Sequence, residues 1–244
     1  MKEFIYSRNA VYESLRARRR HFFRLMVAEG AKDKGRLGEI LRLAEERKIT
    51  VLGAPRAGLD KIHPAHQGVV LEASGFPYCN LQDMLDRAGA RQEPPLILIL
   101  DTLNDPQNFG TLLRTAEAVG VHGVLLPLAR TVAVTPAVVN ASSGASEHLL
   151  VAQTNLAQAI EELKQENVWV VGLDEGPDSR PPSEVRLDGG LAVVVGSEGE
   201  GLRPLVRSKC DLLLRLPMQG QVESLNAAVA GSVALYLAYL ARQR

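Results

Sequence analysis

The sequence predicts an α/β protein: a small mixed module at the front, then a larger domain built on a parallel sheet with helices on both faces. Two patterns carry this reading. From Leu96 onward, apolar runs at Leu96–Leu100, Gly123–Leu126, Val168–Leu173, Leu191–Val195 and Leu212–Leu216 alternate with helix-period stretches. An unbroken apolar run marks a strand covered on both faces, and strand-helix alternation builds a parallel sheet. Before that, over residues 1–75, helices alternate with short strands, as in a self-contained α/β module.

The elements follow in order. Ser7 to Arg18 is an amphipathic helix, with Ala10, Val11 and Leu15 on its apolar side and Ser7 as its cap. Phe22–Ala28 reads as a strand, and Lys34–Arg47 as a helix with Leu37, Ile40, Leu41 and Ala44 on one face. Ile49–Leu52 and Gly68–Ala73 read as short strands. Gly75-Phe76-Pro77, a helical patch at Leu81–Arg87, and the stretch from Gly89 to Pro95 form a linker. The domains are therefore 1–75 and 96–244, with 76–95 between them. In the second, helices fall at Thr111–Val119, Pro136–Ser142, Leu156–Glu166, Pro204–Ser208 and Asn226–Ala241. The Pro- and charge-rich connection Glu175–Gly190 reads as mobile.

Composition narrows the function. With 244 residues, 46% of them hydrophobic and 23% charged, the chain is long enough for a sizeable core. Cys79 and Cys210 lie far apart without metal-ligand spacing, and His21, His63, His122 and His148 form no ligand pattern. We therefore expect no metal, no disulfide, and thiols that are buried or incidental. Met1 to Arg24 is too polar for a signal peptide, and no run is long and apolar enough to span a bilayer, so a cytoplasmic location is expected. The net charge of zero hides an asymmetry. Residues 1–75 carry 15 Lys and Arg against 9 Asp and Glu, an excess of +6 that the rest of the chain cancels. Such a front implies either an anionic partner or two ordinary domains of uneven charge.

Three polar loops follow apolar strands: Asn104–Gly110, Gly196–Gly201, and the turn from Pro217 to Ser224-Leu225-Asn226. Polar clusters at strand ends are where open parallel sheets place ligands. The second loop has G-x-x-G-x-G spacing after a late strand, whereas a dinucleotide site needs G-x-G-x-x-G after the first. Its Glu198 and Glu200 would repel a pyrophosphate, and no P-loop is present. Carboxylates there favour a neutral or cationic ligand, such as the positive sulfonium of S-adenosylmethionine.

Together the loops resemble the three signature motifs of the SpoU (TrmH-type) ribose 2′-O-methyltransferases of the SPOUT superfamily. The matching stretches are Asn108-Phe109-Gly110-Thr111-Leu112-Leu113-Arg114-Thr115-Ala116, Val195 to Leu202, and Leu216-Pro217-Met218 through Ser224-Leu225-Asn226-Ala227-Ala228. Ile5 to Val11 and His66-Gln67-Gly68-Val69 resemble the ribosomal-protein-L30-like RNA-binding module that members acting on ribosomal RNA often carry. The resemblance covers nearly the whole chain and is strongest to bacterial enzymes that methylate a guanosine of large-subunit (23S) ribosomal RNA. It implies a C-terminal SPOUT domain with a deep trefoil knot, S-adenosylmethionine as cofactor, and a homodimer with the active site near the subunit interface. It also implies that Gly196, Gly199, Leu216, Met218 and Leu225 hold the cofactor, and that Asn108, Arg114, Glu198, Ser224 and Asn226 are catalytic.

Each candidate also has a plain structural reading. Arg114 on its own would be a surface arginine paired with Glu117 or Asp105; in the motif it binds the substrate ribose and phosphate. Because a guanidinium stays protonated, orienting the hydroxyl suits it better than accepting its proton. Asn108 and Ser224 are natural helix caps, and Glu198 a helix N-terminal charge. The resemblance makes Glu198 a site carboxylate beside Arg114. The small-residue face Ala227, Ala228, Ala230, Gly231, Ser232 and Ala234 suits the cofactor loops and a subunit partner, or equally a tight core. Arg16 to Arg20 with Arg24 is the densest basic patch, and Arg8, Arg18, Arg19 and Arg20 are the RNA-contact candidates. His66 belongs to the module signature rather than to catalysis. The alternatives are a transfer-RNA ribose methyltransferase, an antibiotic-resistance type acting at another ribosomal RNA site, and a non-catalytic ribosome-assembly protein that binds RNA. Intact motif residues argue against the last.

Overall fold

The chain opens with β1 (Lys2–Tyr6), α1 (Arg8–Ala17), β2 (Phe22–Ala28), α2 (Arg36–Glu46), β3 (Thr50–Ala54), α3 (Arg56–Asp60) and β4 (Val69–Ser74). It continues with α4 (Leu81–Arg91), β5 (Leu96–Leu100), α5 (Pro106–Ala118), β6 (Gly123–Pro127), α6 (Pro136–Ala141), β7 (Val151–Thr154) and α7 (Leu156–Gln165). Last come β8 (Trp169–Leu173), β9 (Leu191–Val195), α8 (Pro204–Lys209), β10 (Leu212–Leu214) and α9 (Ala227–Ala241). This is a computed structural model, and it describes residues 2–243 apart from Arg130, Glu198 and Glu223.

Packing divides the chain into two units: residues 1–77 with 133–148, and residues 78–132 with 149–244. In the first, the strands run in the order β1-β4-β2-β3, with β2 parallel to β3 and β4 antiparallel to both its neighbours. Helix α1 buries Ala10, Val11 and Leu15, and α2 buries Leu37, Ile40 and Ala44, the faces their periodicity marks. Strand β1 was hidden by its polar start, and α3 is too short to show a period.

Residues 133–148 join this unit although the sequence places them after the linker. Glu147, 1% exposed, meets Arg20, and His148 Nε2 lies 2.8 Å from Glu13. The fit at Gly144 is close: a Cβ there would stand 2.5 Å from the Glu13 Cβ, and its φ of +88° suits only glycine comfortably.

The second unit is a six-stranded parallel sheet in the order β10-β8-β9-β5-β6-β7. Every residue of β5, β6 and β9 is buried, as their unbroken apolar sequences demand. β7 is a short edge strand that the sequence did not reveal. Helix α5 begins five residues before its expected start. Asp105 caps it, accepting from the N–H groups of Gln107 (3.1 Å) and Asn108 (3.3 Å), and Pro106 fills the first helical position. Those bonds hold the Asp105 carboxyl below the usual carboxylate range. The connection expected to be mobile is instead anchored: Ser179, Val185 and Leu187 are buried, and Arg180 N donates to Leu213 O at 2.8 Å. Cys79 and Cys210 are half-buried, and burial pushes the thiol of Cys210 up to about 12. Among the described residues no helix is long and apolar enough to cross a membrane, and no cluster of His, Cys, Asp or Glu could hold a metal ion.

Candidate functional site

Strands β10, β8, β9 and β5 are neighbours and run parallel, so their carboxyl ends share one edge. Chain turns there into polar residues: Arg215, Asp174, Gly196 and Asp101 follow the four strands in that order. A cavity of about 300 Å³ opens at this edge, at the lower end of the range for small-molecule sites. Gly196, Gly199, Leu216, Met218 and Leu225, the cofactor candidates, all line it, and so does Ser224.

Glycine is required in this wall. A Cβ at Gly196 would stand 2.2 Å from the backbone carbon of Gly201, so only glycine lets the two ends of the loop touch. Paired hydrogen bonds between Ser197 and Gly201 (3.0 and 3.1 Å) close the loop, with Gly199 and Gly201 at φ +88° and +67°. At Gly196, Gly199 and Gly201 the wall therefore presents main chain without side-chain bulk.

The third loop leads into α9, and here Asn226, not Ser224, is the cap: its Oδ1 accepts from Ala228 N (2.9 Å) and Val229 N (3.2 Å). Ser224 is thereby left at the cavity wall. Asn226 Nδ2 donates to Asn108 Oδ1 at 3.2 Å, which joins the first and third motifs directly. Asn108 sits inside the first turn of α5 rather than capping it. The helices meet closely because residue 231 is glycine: a Cβ would come within 2.6 Å of Leu112 and 2.9 Å of Val195. Thr115 and Ser232 share a hydrogen bond of 2.9 Å across the same seam. Arg114 lies exposed on α5 and is not among the described residues lining the cavity of its own chain. Glu198 lies outside the described residues.

Sequence reasoning missed one part of the wall. Asp174 and Glu175 line the cavity at the end of β8. Asp174 Oδ2 accepts from Arg207 Nε (3.1 Å) and Nη2 (3.0 Å) and from Gly176 N (3.3 Å). That bond raises the affinity of the Arg207 guanidinium for its proton. The available signal was a fourth apolar strand ending in Asp-Glu-Gly-Pro, the same pattern as the other three.

In the first unit the two module signatures meet. Arg8 N donates to Gln67 Oε1 (3.1 Å) and Arg8 Nε to Gln67 O (3.2 Å), while Tyr6 stacks on His63 with centroids 3.7 Å apart. His66 is fully buried; its Nδ1 accepts from Gly68 N (2.8 Å) and its Nε2 pairs with Asp60 (3.0 Å), a structural role. Of the RNA candidates, Arg18 is exposed, in the left-handed C-cap of α1, and Arg8 is half-buried. Arg19 donates to Pro77 O (3.1 Å) and Glu147 O (3.4 Å). Arg20 must be withdrawn from that set. Its guanidinium has no exposure and is held by Glu147 on two bonds of 2.8 Å, by Glu3 at 2.6 Å and by Ser74 O at 2.9 Å. Burial alone would loosen its proton, but the two carboxylates outweigh that and the net shift is upward.

Comparison with known proteins bears on both units. Residues 95–236 match the model of the SpoU rRNA Methylase family, and residues 4–79 match that of RNA 2′-O ribose methyltransferase substrate binding. A Bacillus subtilis protein named "Putative TrmH family tRNA/rRNA methyltransferase YacO" is 42% identical, over 98% of this chain and 96% of that one. A Staphylococcus aureus relative with the same family name is 41% identical over 87% of this chain and 86% of its own. Among solved structures, the SpoU methyltransferase AviRb of Streptomyces viridochromogenes, in complex with the cofactor AdoMet, superposes with a TM-score of 0.82 at 20% identity, covering 98% of this chain and 89% of that one. An RNA 2′-O ribose methyltransferase gives 0.79 at 25% identity, covering 100% and 90%.

Proposed function

Since this chain belongs to the SpoU rRNA methylase family, we propose that it transfers a methyl group from S-adenosylmethionine to a ribose 2′-hydroxyl of RNA, its substrate a guanosine of large-subunit (23S) ribosomal RNA. It acts in the cytoplasm as a homodimer. One observation carries the reading: five residues named as cofactor contacts, from two loops separated in sequence, line a single cavity, with Ser224 beside them. Relatives over 40% identical are named for transfer and ribosomal RNA, and the front unit matches a substrate-binding model.

The residues present fit the cofactor. Gly196, Gly199 and Gly201 offer main-chain groups to a flat nucleoside, Leu216 and Met218 an apolar wall, and Asp174, Glu175 and Glu200 negative charge near a cation. When bound, S-adenosylmethionine supplies an already activated methyl group on a positive sulfur, so no metal is needed. What remains for the protein is to align the hydroxyl oxygen, accept its proton and exclude water. Asn108 and Asn226 lock the entry to α5 against the third loop, which fixes where Ser224 stands. Arg114 binds the substrate phosphate and stabilises negative charge on the 2′-oxygen.

Arg114 lies outside its own chain's cavity, and α9 offers a way to complete the site. Its outward face carries Val229, Val233, Tyr236 and Leu240, 39–56% exposed at intervals of four, three and four residues. A second copy of this helix covers such a stripe at coiled-coil-like spacing and brings Arg114, on the adjoining helix, toward its partner's site. Val233→Asp would then yield a monomer by sedimentation and lose turnover. The threaded SPOUT knot belongs to the same proposal: between β10 and α9, Arg215, Leu216, Met218, Ser224 and Leu225 line the cavity.

The test is calorimetry with S-adenosylhomocysteine, followed by labelled S-adenosylmethionine with large-subunit ribosomal RNA or transfer RNA and alkaline hydrolysis. Micromolar binding and label in alkali-resistant dinucleotides from ribosomal RNA are expected. Label only in transfer RNA would replace the substrate; no binding would leave an RNA-binding assembly protein.

A further inference from the structure

Asp101 follows β5 directly, is fully buried and does not line the cavity. Its main-chain N–H donates to Val195 O at 2.8 Å, extending the β5–β9 ladder to the point where β9 gives way to the glycine loop. Its carboxylate is taken up at the other end of that loop. Oδ2 accepts from Arg203 N at 2.8 Å, and Oδ1 from Arg203 Nε and Nη2, both at 2.6 Å. Between these two points the chain makes one tight excursion, closed by Ser197 and Gly201, and five of its residues line the cavity.

A buried carboxylate is costly unless hydrogen bonds offset the lost hydration, and an apolar residue would end a buried strand more cheaply. Three short charge-assisted bonds to one residue do offset it, and they fix that residue in direction as well as distance. Asp101 thus grips the loop at both ends, although it follows a different strand. Leu202, beside Arg203, is anchored in the core, so the excursion is the part left to be set by this grip.

We infer that Asp101, acting through Arg203, is a positioning residue for the cofactor: it sets the height and tilt of the 196–201 backbone against the cavity. This rests on the reading that the cavity takes S-adenosylmethionine. It also assigns a role to Arg203, whose half-exposed side chain would otherwise be an ordinary surface arginine.

The experiment compares wild type, Asp101→Asn, Arg203→Met and the double variant. Asp101→Asn keeps the shape and an acceptor for Arg203 N, while Arg203→Met keeps the main-chain donor and is tolerant because the side chain reaches solvent. Each should weaken S-adenosylhomocysteine binding at least tenfold, equivalent to about 1.4 kcal/mol. KM for S-adenosylmethionine should rise by the same factor, with kcat within threefold and KM for RNA unchanged. The double variant should be no weaker than the worse single one, since both changes break one contact. A merely structural role would lower the melting temperature and leave the dissociation constant within twofold of wild type; that result in Arg203→Met overturns the inference. Failure of the wild type itself to bind would overturn the cofactor reading, and the inference with it.

Discussion

The two units bury polar groups in opposite ways. Of the eleven buried polar or charged residues among those described, eight (Ser7, Ser14, Arg20, His66, Glu72, Ser142, Ser146 and Glu147) lie in the smaller first unit. The second unit, with a six-stranded apolar sheet, holds Asp101, His122 and Ser179 and otherwise keeps polarity at its carboxyl edge. A four-stranded sheet with short helices has less apolar surface to bury, so the first unit is fastened by charge: Glu147 reaches across 127 positions of sequence to Arg20. The first unit sets a buried ion pair, Arg20 with Glu147, into its apolar core; in the second the buried carboxylate, Asp101, stands at the edge where the cavity opens.

The strongest way to break that contrast is Glu147→Ala. It leaves the buried Arg20 with Glu3 and one carbonyl, and losing one partner of a buried pair costs about 3–5 kcal/mol. Trp169, the single tryptophan, lies in β8 of the second unit, so its fluorescence follows that unit while circular dichroism follows both. In urea the variant should show an early transition by dichroism that fluorescence does not share. Coincident curves would mean that the units share one cooperative core.

Arg114→Ala strikes the other side. It should lower kcat by 10²–10³, about 2.7–4 kcal/mol for a lost charge-stabilising donor, with S-adenosylhomocysteine affinity within threefold and both unfolding curves unmoved. Near-normal turnover would remove Arg114 from the chemistry.

This contrast also explains what the sequence revealed. The second unit was legible because its site is made of loops that follow strands, so each motif is contiguous: Val195 to Gly201 is strand, turn and ligand wall in one stretch. Strands β5 and β9 fall on their expected bounds because their apolar runs are uninterrupted, and β2 does so although Arg24 breaks its run. The first unit was legible only in outline. Nothing local tells Arg18 from Arg20; one faces solvent and the other has no exposure, because Glu147 arrives from a segment that follows β6. Asp101 escaped for the same reason, since its partner Arg203 stands 102 positions away. Capping was half legible: the Asp-Pro pair before α5 was available, whereas the choice of Asn226 over Ser224 is made by the loop.

Arg18 sharpens the comparison at smaller scale. As an exposed phosphate contact, Arg18→Ala should weaken RNA binding several-fold and reduce the slope of log K against log salt by about 1, while both unfolding curves stay within about 0.5 kcal/mol. Arg20→Ala should do the reverse at low denaturant, costing stability first. If the two variants behaved alike, the division of that basic run into a binding and a structural half would fail.

The smallest expected effect lies where the first unit carries strain. Ser7 joins β1 to α1 at φ +75°, ψ 148°, buried to 4%, and makes no side-chain cap to the helix. That backbone region is essentially reserved for glycine, and a side chain held there costs about 1–3 kcal/mol. Ser7→Gly relieves it but adds about 0.5–1 kcal/mol of unfolded-chain entropy, leaving a net gain on the order of 1 kcal/mol, within limits of about 0–2.5 kcal/mol. The gain should show in the dichroism transition and not in Trp169 fluorescence, because the strain belongs to the first unit alone. RNA affinity is the informative second reading, since Ser7 adjoins Arg8, and Arg8 is held on Gln67, itself at φ +54°. A stabilised variant with unchanged RNA affinity would make the strain a cost of building the turn. If RNA affinity fell while stability rose, the strained turn would be what aims Arg8, and the first unit would keep charge for binding as well as for its own cohesion.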